Sequence, residues 1–100
     1  MAIGSSPARF IAGNDVFLFD SSAGASEAGP DVTNVEVMIF TTVDAWVRIT
    51  KGGVKATKSG KANQFIAAGT FLVFAAQPSA IVSAVSADDS PGTAMITWLA

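Results

Sequence analysis

The residue types that most often carry chemistry are sparse in this sequence of 100 residues, which contains no cysteine and no histidine. Their absence removes disulfides, thiolate and imidazole metal sites, and every Ser-His or Cys-His nucleophile pair. Three groupings remain. Asp88-Asp89-Ser90 sets two carboxylates beside a hydroxyl, oxygens a Ca²⁺ ion accepts, but such an ion needs roughly six to eight of them and no ligand-loop spacing accompanies these. The triplet reads as a solvated turn. Ser59 and Lys61 have the types of a serine–lysine nucleophile pair, a chemistry that needs a lysine of depressed pKa in an apolar cleft; here they stand in a glycine-flanked polar stretch. Eight carboxylates leave paired-acid glycoside hydrolysis conceivable, yet no pair falls in a segment that forms an evident cleft. The sequence therefore assigns no catalytic, cofactor-binding or metal-ligating residue and predicts no enzyme.

Binding residues are easier to place. Five of the six basic residues, Arg48, Lys51, Lys55, Lys58 and Lys61, form a run without an acid, and six of the eight acids precede it. Clustered cations create a local field despite a small net charge, one that draws an acidic protein surface or a phosphate backbone. The plainer alternative is a lysine-decorated edge, where charge discourages unwanted strand pairing. Trp46 and Trp98 are either core or interface residues or the stacking platform of a carbohydrate site.

Short runs rich in Val, Ile, Phe and Thr, at roughly ten-residue spacing between turn residues, have to position these groups. They predict an all-β fold, a small antiparallel β-sandwich, Ig-like or jelly-roll-like, of about eight strands. Ala8–Ile11 and Val16–Asp20 are expected as a leading hairpin, with Gly13 and Asn14 in its turn. Further strands are expected at Thr33–Phe40, Asp44–Ile49, Val54–Thr57, Gln64–Ile66, Thr70–Phe74, Ala80–Ser86 and Thr93–Leu99. In the first of these Val35, Val37 and Ile39 share one face, and its second half reads as buried on both sides. Trp46 and Arg48 share a face of the next. The small, polar residues of 21–31 predict a mobile loop. Residues 1–6 are expected as a flexible arm, with Ile3 its candidate contact, and 7–100 as one domain, since a chain of this length hides roughly two thirds of its unfolded surface and builds one modest core.

Composition narrows the partners. Half of the residues are hydrophobic and 14% are charged, below the ~25% usual for soluble domains, which suggests a surface buried against neighbours. The net charge of −2 argues against nucleic acid as the partner. The longest apolar stretch, Phe65 to Ala76, is broken by Gly69 and Thr70 and falls short of the roughly 20 residues of a spanning helix. Met1 to Ser6 lacks the basic start and apolar run of a secretion signal, so synthesis in the cytoplasm is expected.

From Asn34 onward the succession of motifs resembles a group of small β-sandwich proteins encoded among the virion genes of tailed bacteriophages, several of which decorate or reinforce capsids. The residues that carry it are Val35-Glu36-Val37, Ala45-Trp46-Val47-Arg48-Ile49, Gly53-Val54-Lys55-Ala56-Thr57, Phe65-Ile66-Ala67-Ala68-Gly69, Pro78 to Ser86, and Gly92-Thr93-Ala94-Met95. They cover about two thirds of the chain, as a likeness of rhythm and residue type. The basic Lys51–Lys61 segment and the leading region Pro7–Asp31 depart from the pattern.

The resemblance implies a virion structural protein, a capsid decoration or cement protein that stabilises the mature head by bridging coat subunits. Its expected partner is the major coat protein of a phage head, and its expected state a homo-oligomer, for which a trimer is one form; neither cofactor nor membrane is expected. Arg48, Lys51, Lys55, Lys58, Lys61, Trp46 and Ile3 are the candidate contacts. The alternatives are a tail or neck component, or a receptor-binding module that takes carbohydrate at Trp46 or Trp98.

Overall fold

Alternation of apolar and polar residues builds the two layers of this protein, whose computed structural model describes residues 10–100. Eight strands run in chain order: β1 (Ile11–Phe19), β2 (Gly24–Ala25), β3 (Val35–Thr41), β4 (Ala45–Thr50), β5 (Gln64–Ile66), β6 (Phe71–Ala76), β7 (Ile81–Ser86) and β8 (Gly92–Leu99). They form two antiparallel four-stranded sheets, ordered β1-β8-β3-β6 and β2-β7-β4-β5. Successive strands alternate between the layers except β4 and β5, which are neighbours in one sheet, so the chain crosses repeatedly from sheet to sheet as a jelly roll does. The all-β sandwich of eight strands is as the sequence predicts, and its strand order selects the jelly-roll-like alternative over the Ig-like one.

The inward faces meet in one core. Val35, Val37 and Ile39 of β3, Ile96 and Trp98 of β8, Val47 of β4, Val82 of β7 and Ile66 of β5 are buried together with Phe19. Each isoleucine so buried contributes on the order of 1.5–3 kcal/mol. Among the described residues there is no helix, and no helix is long and apolar enough to cross a membrane.

Three local expectations are corrected. The leading hairpin is one continuous strand: β1 pairs with β8 from Ile11↔Leu99 to Phe19↔Gly92. The Gly13-Asn14 turn signal loses to this ladder, and an irregularity between Ile11 and Gly13 absorbs the extra residue as a β-bulge. Ala8 and the arm 1–6 lie outside the described residues.

The segment 54–57 is not a strand. It belongs to an irregular crossing that lies over the outer face of β7, where the Ala56 N–H donates to Ser83 Oγ at 2.9 Å and Ala56 itself is buried.

The segment 21–31, expected as a mobile loop without core anchors, is laid along β7. It contains β2, and Ser26 and Gly29 donate N–H bonds to the carbonyls of Val82 and Ala80, each at 2.8 Å. Asp15 on β1 accepts the Glu27 N–H at 2.7 Å. The small side chains that look unable to anchor a core are those that fit against a neighbouring backbone.

Candidate interaction surfaces

The basic run sits on one side of the molecule. Arg48 projects from the outer face of β4, opposite Ser83 of β7, while Lys51, Lys55, Lys58 and Lys61 are exposed along the crossing from β4 to β5. Asn63 ties that crossing together, donating through Nδ2 to the Ser59 and Lys61 carbonyls at 2.9 and 2.8 Å. Lys58 is ion-paired with Asp89, an exposed pair worth little to stability that nevertheless removes one cation from the cluster. The lysines therefore decorate a loop over a sheet and not the edge strand that is the plainer sequence reading.

The Asp88-Asp89-Ser90 triplet is a turn whose carboxylate is used internally. Asp88 Oδ1 accepts the Ser90 N–H at 3.2 Å and the Ser86 hydroxyl at 3.0 Å. The Ser90 backbone bond first, then the Ser86 hydroxyl, hold the Asp88 carboxyl below its ordinary value. Asp89 takes a positive φ of 66°, a conformation aspartate tolerates in tight turns. Other acids do similar work: Asp44 accepts the Ala68 N–H and Asp20 that of Ser22, both at 2.8 Å. Among the described residues no group of three or more Asp, Glu, His or Cys side chains is arranged to hold a metal ion. A surface hollow of about 450 Å³ beside Leu18, Asp20 and Thr42 has Asp20 as its one ionisable lining residue.

The two tryptophans part company. Trp98 is buried at 3% exposure within the core, which overturns it as a stacking platform. Trp46 stands on the outer face of β4 against Phe65 of β5, ring centroids 5.2 Å apart and edge-on, and is half-buried. Ile3 lies outside the described residues.

The most developed surface is one that sequence reasoning missed. On the outer side of β1-β8-β3-β6 a row of cross-strand neighbours runs Val16, Met95, Phe40, Phe71, with the Phe40 and Phe71 rings 4.8 Å apart. Leu18, Met38 and Val73 lie in the flanking rows, and the β1 bulge sets Ile11 opposite Leu99 at one end. Ile11, Val16, Leu18, Phe71, Val73 and Met95 are 64, 60, 75, 61, 55 and 47% exposed. By strand alternation Glu36 is the single charged residue of these four strands, among the described residues, that points to this side. Four strands ~4.8 Å apart and about six residues long at ~3.3 Å per residue make a face on the order of 400 Å², which Asn14, Thr93 and Thr97 share with the apolar residues; a patch of this size is often functional.

A signal for it was present. β3 and β6 carry apolar residues at both parities, Ile39 beside Met38 and Phe40, and Leu72 and Phe74 between Phe71, Val73 and Ala75. In a two-layer sandwich the chain's own core covers one side of a strand. The second half of β3, expected to be buried on both sides, has its outer side on this open face.

No protein-family model matches the chain, and no curated protein matches it. Among solved structures it is similar to a de novo designed double-stranded β-helix determined by solution NMR, with a TM-score of 0.56 and 12% identity over 85% of this chain and 96% of that one. It is similar at a TM-score of 0.43, and 18% identity, to a cupin protein from Bacteroides fragilis, over 99% of this chain and 80% of that one. With the strand order, the first of these likenesses gives the fold class as a jelly-roll-like double-stranded β-helix. At these identities the likeness speaks to fold alone, and such a fold hosts unrelated functions.

Proposed function

We propose that this chain is a non-catalytic structural protein of a tailed-bacteriophage virion, a capsid decoration protein that acts through protein contacts. The observation that carries the first half is the open apolar face of the β1-β8-β3-β6 sheet, which is costly to leave in water and so belongs against another protein. The phage assignment rests on the resemblance of the segments from Val35 to Met95, and the jelly roll is an architecture that viral capsid domains use among others.

The basic side faces away from the apolar one and supplies the contact with the coat. Arg48, Lys51, Lys55 and Lys61 present a positive patch that steers the protein to an acidic coat surface and sets its register there. Lys58, held by Asp89, contributes less.

Co-sedimentation of the purified chain with DNA-filled heads, built from the major coat protein encoded with it, tests this reading, with immature shells as control. Saturable binding to mature heads, weakened several-fold by Lys55→Glu with Lys61→Glu and little affected by Lys58→Ala, is the expected result. Failure to sediment with either particle removes the capsid reading.

A further inference from the structure

We propose that the hollow between β1 and the segment 27–30 binds a small primary ammonium that carries an acceptor oxygen on the neighbouring carbon. That chemistry is shared by an amino sugar and by the free amino end of a peptide chain. The site lies apart from the apolar face and from the basic loop, and it does not depend on the capsid reading.

The hollow has a volume of about 270 Å³ and Trp98 lines it. The β1–β8 register sets Gly13 directly across from Trp98, so no side chain from β1 is laid beside the ring. A β-carbon at position 13 would meet the indole at Cδ1, at 3.8 Å, whereas one at position 29 would stand on Cδ2, Cε2 and Cε3. Gly29 thus covers the fused part of the ring, and the Cδ1–Nε1 edge is the part left beside Gly13.

Trp98 is 3% exposed, and a tryptophan buried this far normally sets its N–H on an acceptor. Here the N–H has no hydrogen-bond partner among the described residues, and it is not sealed from solvent. It opens into the hollow that Trp98 lines and calls for an acceptor from outside the chain. The indole acts as an in-plane donor, so the burial of its faces, which rules out stacking, is no obstacle.

Two carboxylates line the same hollow, those of Asp15 and Glu27. Asp15 is held in place: Oδ1 accepts the Val16 N–H at 2.8 Å and Oδ2 accepts the Glu27 N–H at 2.7 Å. Each oxygen keeps a further lone pair for a ligand, and the second bond ties the Glu27 backbone to the same rim. Neither carboxylate is ion-paired with a described residue, and no cation is among the residues of the lining.

These groups select the ligand. Two carboxylates repel an anion and draw a cation. A bare Ca²⁺ ion is unsuited, since it needs roughly six to eight oxygens and the indole turns the positive end of its N–H toward it. An ammonium brings three donors for the carboxylates, in charge-assisted bonds about twice as strong as neutral ones, and an oxygen on the next carbon accepts the indole N–H. At ~30 Å³ per water the hollow holds about nine waters, room for a monosaccharide or a single terminal residue.

Nuclear magnetic resonance of the full, isotope-labelled chain tests the proposal. Its two tryptophans give two indole N–H signals, and Trp46, on the outer face of β4, is the internal control. Glycinamide stands for the peptide end and glucosamine for the amino sugar, while ethylamine lacks the acceptor and N-acetylglucosamine lacks the ammonium. The expected result is a saturable shift of the Trp98 signal at millimolar glycinamide or glucosamine, with Trp46 unmoved and both controls several-fold weaker. Glycinamide alone assigns the site to chain ends, glucosamine alone to amino sugars, and binding of both establishes the shared chemistry. Glu27→Gln, at an exposed position, weakens binding by at least about tenfold, the scale of one hydrogen bond to a charged group. Gly13→Val fills the hollow and abolishes binding, with an unmoved Trp46 signal as the check that it folds. No shift with either ammonium, equal binding of ethylamine or N-acetylglucosamine, parallel movement of both indole signals, or full affinity in Glu27→Gln overturns the proposal.

Discussion

Gly29 lies flat against the indole of Trp98: a β-carbon at position 29 would stand 2.7 Å from the indole Cδ2 and Cε3 atoms. Since Trp98 is locked in the core, the clash has no flexible end to absorb it. Gly29→Ala is therefore expected to destabilise the fold by about 1–3 kcal/mol, as overpacking does, read as a lower urea midpoint with an unchanged slope. An unchanged midpoint would show that 21–31 is loosely held after all.

Thr41 ends β3 fully buried, and its Oγ1 has no hydrogen-bond partner among the described residues. A hydroxyl in that position costs roughly 1–3 kcal/mol of desolvation. Thr41→Val keeps the branched shape and is expected to raise stability by about 1 kcal/mol, seen as a higher thermal midpoint. A fall in the midpoint would mean that the hydroxyl is satisfied in solution.

Ser83 joins two segments across the outer face of β7. Its Oγ accepts from the Ala56 N–H at 2.9 Å and donates to the Gly24 carbonyl at 3.1 Å. Ser83→Ala releases both, and the crossing that carries the lysines opens more often. Trypsin is expected to cut after Lys55 and Lys58 several times faster in native Ser83→Ala than in the parent protein, at equal global stability correction. Equal rates would place the anchor of this segment elsewhere.

Asp88 links stability to pH. Its folded carboxyl is held below the ordinary value of 3.8 by the Ser90 backbone and the Ser86 hydroxyl. A depressed carboxyl contributes stability above its unfolded pKa, and that contribution fades as the pH falls through the folded value. Asp88→Asn is therefore expected to be less stable than the parent at pH 7, with the gap closing below pH 3.8. A gap that widens in acid contradicts the assignment of these hydrogen bonds.

Much of this was legible in the residues. Val35, Val37 and Ile39 alternate with partners that cannot share their face, so β3 and its inward side follow from period two alone, and Gln64–Ile66 is bounded as expected. What failed failed for tertiary reasons. The Gly13-Asn14 pair is a sound local turn signal, overridden because β8 offers β1 a full ladder and a bulge can host the glycine. β2 is two residues long, below what any pattern reveals. Val54–Thr57 has strand composition, but its backbone N–H groups donate to the side chains of Thr50, Ser83 and Asn63 and not to a neighbouring ladder. The basic cluster was found, because charge is visible in a list of residues; the apolar face was not, because it is assembled from four strands remote in sequence.

That pairing of β1 with β8, with Asp15 opposite Ile96, also dictates when the molecule can come into being. The first strand has no ladder until the last has left the ribosome, and at translation speeds of ~5–20 residues per second it waits about 4 to 16 s. For that interval Val16, Phe17, Leu18 and Phe19 form an unpaired apolar segment beside a growing nascent chain. Folding is thus governed by distant pairings, which are intrinsically slow, and chaperones that shield extended apolar segments have a long opportunity at β1.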